Sequence, residues 1–337
     1  MCRERIIELK ILRQRRKRRL WRKRRNRIKF ISKPSDSSCV GTKQSLPMVF
    51  PPMVFSIDNL EESLAFINKT YEYSKILAGR RLFVWLKDIK KIDMFMICLL
   101  LSLLNKLSGN HVGCWGNYPI DTDVRSYLIN SGFLNIIQSN IKNASEKMFE
   151  NQMYMIGKDT VNSSLIGNSV KIAMEQLMGV KTHYPPVYDN MIEICSNSVE
   201  HSNRSDSSKN WLVSISKNED TLSFILTDTG VGILQTLKKK KSEMFTDKLF
   251  KNDGKVLKGV FNKKYCSCTG EINRHKGLPI VYESFLDGFI SNLMVLTNCV
   301  LYDFVRDSYE ILNNEFKGVM YCWTIDKNNY TKWKETV

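Results

Sequence analysis

The run Met94–Leu104, MFMICLLLSLL, broken only by Ser102, constrains this chain more than any other feature. It is too short to cross a bilayer, which takes about 20 residues, and reads as a buried helix of a globular core. Asp93 precedes it as an N-cap, its side chain able to accept a first-turn N–H. Short apolar runs at Leu82–Leu86 and His111–Trp115 read as strands on either side. Helical periodicity over Ser63–Leu77, and a helix Asp121–Ser131 stopped by Gly132, complete an alternating pattern. These elements predict a small α/β domain over 57–140.

Charge divides the chain differently. The 337 residues carry a net charge of +17, but residues 1–30 hold 15 Lys and Arg against Glu4 and Glu8. The other 307 residues have 36 basic and 32 acidic side chains, so the body is close to neutral. The basic residues concentrate in RQRRKRRLWRKRRNR, which self-repels without a polyanion. Residues 1–31 read as a basic arm. Residues 32–56, with Pro34, Pro47, Pro51 and Pro52, read as a linker.

No apolar segment follows the basic start, so it is not a secretory signal. The nine cysteines are odd in number and contain no CxxC. Cys266 and Cys268 have no nearby partners to complete a zinc site, so the thiols read as free in a reducing cytoplasm. No transmembrane segment is expected, and the expected location is cytoplasmic.

Residues 141–159 are polar and read as a connector. Beyond them, Ser163–Met178 and Tyr188–Ser202 are helical in pattern. Trp211–Ser216 and Thr221–Thr227 alternate as strands about the turn KNED. Lys238–Gly270 is lysine-rich and long for a loop, a length that favours function over accident. A helix at Gly277–Phe285 and strands at Asn292–Leu296, Val300–Phe304 and Gly318–Ile325 close a second domain over 160–330.

Three motifs follow one another there. Glu193, Asn197 and His201 are four residues apart and project from one helical face. A carboxylate can orient a water, and a carboxamide oxygen one turn away can take Mg²⁺, which needs few protein ligands when phosphates supply the rest. Asp228-Thr-Gly230-Val-Gly232-Ile233 directly follows a strand. A carboxylate at a strand end can accept from an exocyclic amine, and the glycines bend the chain and permit close approach. Asn273-Arg-His-Lys276-Gly277-Leu278 precedes a helix whose N-terminal amides suit phosphate. Read singly, each also fits a plain structural role: a solvated helix face, a tight turn, a glycine cap.

In this order and spacing the three resemble the GHKL ATPase fold of histidine kinases and anti-sigma-factor kinases, over about 160–330. The resemblance implies ATP and Mg²⁺ as cofactors. It implies Glu193 as the residue that orients water, Asn197 as the Mg²⁺ ligand and Asp228 as the acceptor for the adenine amine. Gly230, Gly232, Ile233, Lys276, Gly277 and Leu278 would line the nucleotide, with Lys238–Lys276 as a lid. Gly318-Val319 stands where the family often has Gly-Thr before a strand. The implied fold is an α/β sandwich, a mixed sheet with helices on one face.

The first domain more loosely resembles the STAS fold, through LFVWL, Ile92-Asp93, the apolar helix, HVGCW and Ser131-Gly132-Phe133. Met94 and Phe95 stand where the anti-sigma-factor antagonists carry a phosphorylatable hydroxyl, so the resemblance implies a structural module or one that docks a protein partner, not a phospho-switch. The arm, through Arg13, Arg15, Arg16, Lys17, Arg18, Arg19, Arg22, Lys23, Arg24, Arg25 and Arg27, suits nucleic acid, DNA or RNA, without base specificity. A solubilising tail, a targeting peptide and an anionic membrane are the other readings. Together these imply an ATP-driven switch in a bacterial regulatory or defence complex. The alternatives are a protein Ser/Thr kinase, or a nucleic-acid-binding module with a degenerate ATPase fold.

Overall fold

A computed structural model describes residues 28–31, 47–77, 80–138, 147–149, 152–157, 160–200, 211–240, 252–263 and 277–337. Its first part contains strands β1 (Ile28–Ile31), β2 (Met48–Val49), β3 (Val54–Phe55), β4 (Arg81–Val84), β5 (Lys91–Ile92) and β6 (Gly113–Asn117). Helices α1 (Leu60–Ile76), α2 (Met94–Gly109), α3 (Thr122–Asn130) and α4 (Phe133–Gln138) alternate with them. Four strands form a parallel sheet in the order β1-β6-β4-β2, and β3 pairs with β5, also in parallel.

The apolar run is α2, capped as expected: Asp93 Oδ1 accepts from the Met96 N–H at 2.8 Å. Asp93 Oδ2 accepts from the Ile57 N–H at 2.7 Å, which ties the start of α1 to the start of α2. Every residue from Phe95 to Leu104 is buried. A helix apolar on all sides needs cover on all sides. The parallel sheet and α1 supply one side of that cover, and the sheet of the second part supplies the other.

The second part contains β7 (Lys147–Phe149), β8 (Gln152–Gly157), α5 (Ser163–Met178), α6 (Pro185–Glu200), β9 (Trp211–Asn218) and β10 (Thr221–Asp228). It continues with α7 (Ile233–Lys240), α8 (Asp253–Phe261), α9 (Gly277–Leu286), β11 (Ser291–Asp303), β12 (Ser308–Ile325) and α10 (Lys327–Lys334). The strands form one six-stranded sheet, β11-β12-β10-β9-β8-β7. Every pairing in it is antiparallel.

The chain is therefore α/β, with parallel and antiparallel sheets, but one expectation needs correction. The expected mixed sheet is antiparallel throughout its described strands; parallel pairing belongs to the first part. The second part's own described helices do pack on one face, and the other face is covered by α2 of the first part. Val213, Phe224, Leu226, Tyr321 and Trp323 point into a core shared with α5, α6, α8 and α9. The alternate residues Leu212, Ile225, Met320 and Cys322 join the core built around α2. Period-2 alternation thus feeds two cores from one sheet. Phe224 and Trp323 sit opposite each other in register and stack at 5.6 Å between centroids.

The stretches read as arm, linker and connector also contribute strands. β1 lies within 1–31, β2 and β3 within 32–56, and β8 within 141–159. Pro47, Pro51 and Pro52 flank the two-residue strands without entering them, so no ladder N–H is lost. Phe55 is fully buried. Gln152 looks polar in sequence, yet it is buried and its Nε2 donates to Ser214 Oγ at 2.7 Å.

Burial also sets a pH response. It pushes the Cys98 and Cys114 thiols up from 9.0 to about 12. The unfolded chain ionises these thiols first as pH rises. Their share of stability is whole below 9.0 and is lost between that value and about 12. Urea denaturation midpoints should hold at neutral pH and fall steadily above pH 9.0. A flat alkaline profile would contradict the burial.

Candidate functional site

Pro185 and Pro186 open α6, in the one turn where a missing N–H is harmless. Val187, Met191, Ile194 and Cys195 are buried along one stripe and seat the helix on the sheet. Beside the stripe Glu193 and Asn197 are half-buried. Asn197 Nδ2 donates to Glu193 Oε1 at 3.3 Å, which turns the amide oxygen away from the carboxylate. His201 lies outside the described residues.

Asp228 ends β10 between Trp211 of β9 and Val319 of β12. Its Oδ1 accepts from the Gly230 N–H at 2.9 Å and from the Val319 N–H at 3.2 Å. Gly318 has φ 146°, and a Cβ there would overlap the Asp228 carbonyl oxygen. So Gly318-Val319, singled out in the sequence, forms the wall against which Asp228 is set.

The turn beyond is held by residues the sequence did not single out. Gly232 has φ 87°, and a Cβ on it would strike the side chain of Asn298. Close approach at this glycine is therefore made by protein. Ile233 opens α7, and its N–H donates to Thr297 Oγ1 at 3.0 Å. Asn298 Oδ1 accepts from the N–H of Leu234 at 3.1 Å and of Gln235 at 3.4 Å, while its Nδ2 donates to the Val231 carbonyl at 2.9 Å. Two adjacent side chains of β11 thus satisfy three orphan amides of the α7 N-terminus. Asn298 itself has φ 52°, in the left-handed region that Asn tolerates better than most residues. The one sequence signal was its place between two runs read as separate strands, which are in fact one.

The first two motifs lie on packed elements, since α6 contacts β10, and Tyr321 is buried near both. This β12 residue is buried in the core that also holds α6. Its phenol is pushed well up, first by burial and then by the charges of Asp228 and Glu193. Cys195 is raised in the same way, by burial and then by Asp228. The third motif is placed in part. Gly277 opens α9 and Leu278 packs half-buried on the same core, whereas Lys276 lies outside the described residues. Helix α9 meets α6 where the Ser284 hydroxyl lies 3.2 Å from Asn190 Oδ1.

The stretch 238–276 is not one continuous loop. Residues 253–261 form α8, capped by Asn252 Oδ1 on the Lys255 N–H at 3.0 Å. Val256, Leu257 and Phe261 bury that helix in the core, with Phe261 edge-on to Phe304 at 4.9 Å. Lys238 pairs with Asp253 at 3.0 Å.

Two pockets lie elsewhere. One of about 400 Å³ is lined by Ser163, Asn168, Lys171 and His183 among others. The other, about 460 Å³, opens between the two parts, beside Met94, Tyr127, Ser216 and Met294. Neither is lined by Glu193, Asn197 or Asp228. Among the described residues no group of three or more His, Cys, Asp or Glu could hold a metal, and no helix is long and apolar enough to cross a membrane. A Mg²⁺ taken by one amide oxygen and phosphates is a different donor set from such a group. The arm residues Arg13 to Arg27 lie outside the described residues. No protein-family model matches the chain, and no curated protein matches it.

Proposed function

We propose that this chain binds Mg-ATP where α6 adjoins the Asp228–Gly232 turn, hydrolyses it slowly, and uses the nucleotide as a conformational switch, while the basic arm holds nucleic acid. One observation carries the reading: α6, which bears Glu193 and Asn197, packs against β10, the strand that Asp228 ends. That packing supports reading the two motifs as one site.

The residues present suit the ligand. Asn197, its NH₂ engaged with Glu193, offers an oxygen of the kind Mg²⁺ takes. Glu193 is placed one turn away to orient a water. Asp228 is fixed through Oδ1 by two N–H donors, and a carboxylate at a strand end can accept from an amine. Bound Mg²⁺ neutralises phosphate charge. The chain's own part is to position, and Thr297 and Asn298 hold the turn that does so.

Calorimetry tests this directly. Asp228→Asn keeps an oxygen for the Gly230 and Val319 amides but replaces the other oxygen with a donor. An amine facing a donor is left unpaired, at a cost of about 1–3 kcal/mol, so Mg-ATP affinity should fall roughly tenfold or more. Unchanged affinity would remove Asp228 from adenine recognition. Absence of Mg-ATP binding by the intact protein would overturn the reading. Label from the γ-phosphate appearing on a second protein, instead of as free phosphate, would replace hydrolysis by phosphotransfer.

A further inference from the structure

Helix α1 and the Asp228–Gly232 turn are far apart in sequence, yet a relay of hydrogen bonds through Glu315 and Asn298 connects them. The route runs through an irregularity in the β11–β12 ladder. Asn298 pairs with Phe316 and Val300 with Ile311, so the four residues Leu312–Glu315 lie opposite Cys299 alone. A bulge this large takes backbone groups out of the ladder, and each must find another partner.

Helix α1 supplies those partners. The Glu61 carboxylate accepts from the N–H of Asn313 at 2.6 Å and of Asn314 at 3.2 Å. Asn68 Nδ2 donates to the Glu315 carbonyl at 2.7 Å. Glu72 lies 3.5 Å from Lys317 Nζ. Spacings of seven and four put Glu61, Asn68 and Glu72 on one helical face, and that face grips the bulge.

The other side of the bulge meets the turn. Glu315 Oε1 accepts from Asn298 Nδ2 at 3.1 Å and also from Gln235 Nε2. Asn298 is the residue that caps α7 and abuts Gly232. The carbonyl and the carboxylate of one residue, Glu315, are thus held by α1 and by the turn respectively.

We infer that α1 fixes the conformation of the Asp228–Gly232 turn through the β12 bulge, with Asn298 as the positioning residue, so that displacing α1 alters nucleotide affinity. The affinity clause rests on the proposed ATP site; the mechanical link does not. The first part of the chain is then a regulator built into the second. A partner bound against α1 would act on the turn without touching it, by biasing an element that both sites share.

The link is tested first without nucleotide. Asn298→Ala strips partners from three backbone groups at once and can unfold the chain, so the perturbation starts at α1. In the full chain, Glu61→Ala and Asn68→Ala should speed native-state hydrogen exchange at Ile233, Leu234 and Gln235 by about fivefold or more, the lower end of measured couplings. Exchange within α5 should not change. Glu315→Gln, which keeps the Oε1 acceptor, should stay near wild type where Glu315→Ala does not. Unchanged exchange at 233–235, or an equal rise in α5, overturns the inference. Mg-ATP titration then separates the two ideas. Weaker binding by Asn68→Ala extends the link to affinity, and unchanged binding overturns that extension. If the wild-type chain binds no Mg-ATP while exchange responds, the nucleotide reading fails and the link stands.

Discussion

Deleting residues 1–27 is expected to abolish nucleic-acid binding and leave the fold and nucleotide affinity intact. The segment holds 14 of the 15 arm cations, and the body beyond it is nearly neutral. The deletion must stop there. Ile28–Ile31 forms β1, paired in parallel with Cys114–Asn117 of β6 at the edge of the first sheet. A cut at residue 31, where the sequence reading ended the arm, would remove a strand along with the charge. If about six phosphates are contacted, log K should fall against log salt with a slope of roughly −5 on duplex DNA, a loss of about 10³ between 50 and 200 mM salt. Duplex and single-stranded ligands should compete, since the arm offers charge and little base readout. Filter binding or fluorescence anisotropy across salt reads both. Full binding by the truncated chain would move the interface onto the folded parts. Salt-insensitive binding by the intact chain would rule out charge as the driver.

Glu193→Ala should abolish most turnover while largely keeping nucleotide. Glu193 is half-buried beside the stripe that seats α6 and is not one of its core residues. A residue that only orients water acts in the transition state; removing it should lower kcat by about 10² or more with little change in affinity. Single-turnover phosphate release, set beside calorimetric affinity, separates the cases. An equal fall in both would make Glu193 structural, through its hydrogen bond to Asn197. Undiminished turnover would remove it from the chemistry. A control comes from the next turn: Asn197→Ala also breaks that hydrogen bond and should weaken Mg²⁺-dependent binding itself.

Much of the secondary structure was legible because it follows from local pattern. Asp93 caps α2 because a carboxylate before an apolar run meets the first free amides. Ser163–Met178 is bounded as its periodicity demanded, from the Asn162 cap to Gly179 at φ 79°. β9 and β10 follow from alternation about a tight turn. The misses share a cause. β2 and β3 have two residues each, too few to carry a period. β8 has Gln152 at its start and is buried on both faces, so alternation fails there. β12 starts at Ser308, ten residues before the apolar stretch, because its first half passes through a bulge satisfied by side chains distant in sequence.

The candidate site divides along the same line. Glu193, Asn197 and Asp228 were visible because helical spacing and a strand-ending Asp-x-Gly turn are local signals. Thr297, Asn298 and Glu315 were not, because nothing near them in sequence explains a buried Asn with positive φ. Their role appears only when β11 and β12 are laid beside the turn.

The sequence alone determined which segments must be buried and which must stay in water. An apolar run with no polar face has one stable place, and an arm of arginines has the opposite one. Tertiary structure alone decided that the two parts share a core. The two faces of one antiparallel sheet alternate residue by residue, so each strand can serve two cores. Which neighbour covers each face depends on contacts hundreds of residues apart, such as Asn68 with Glu315, and local pattern carries no record of those.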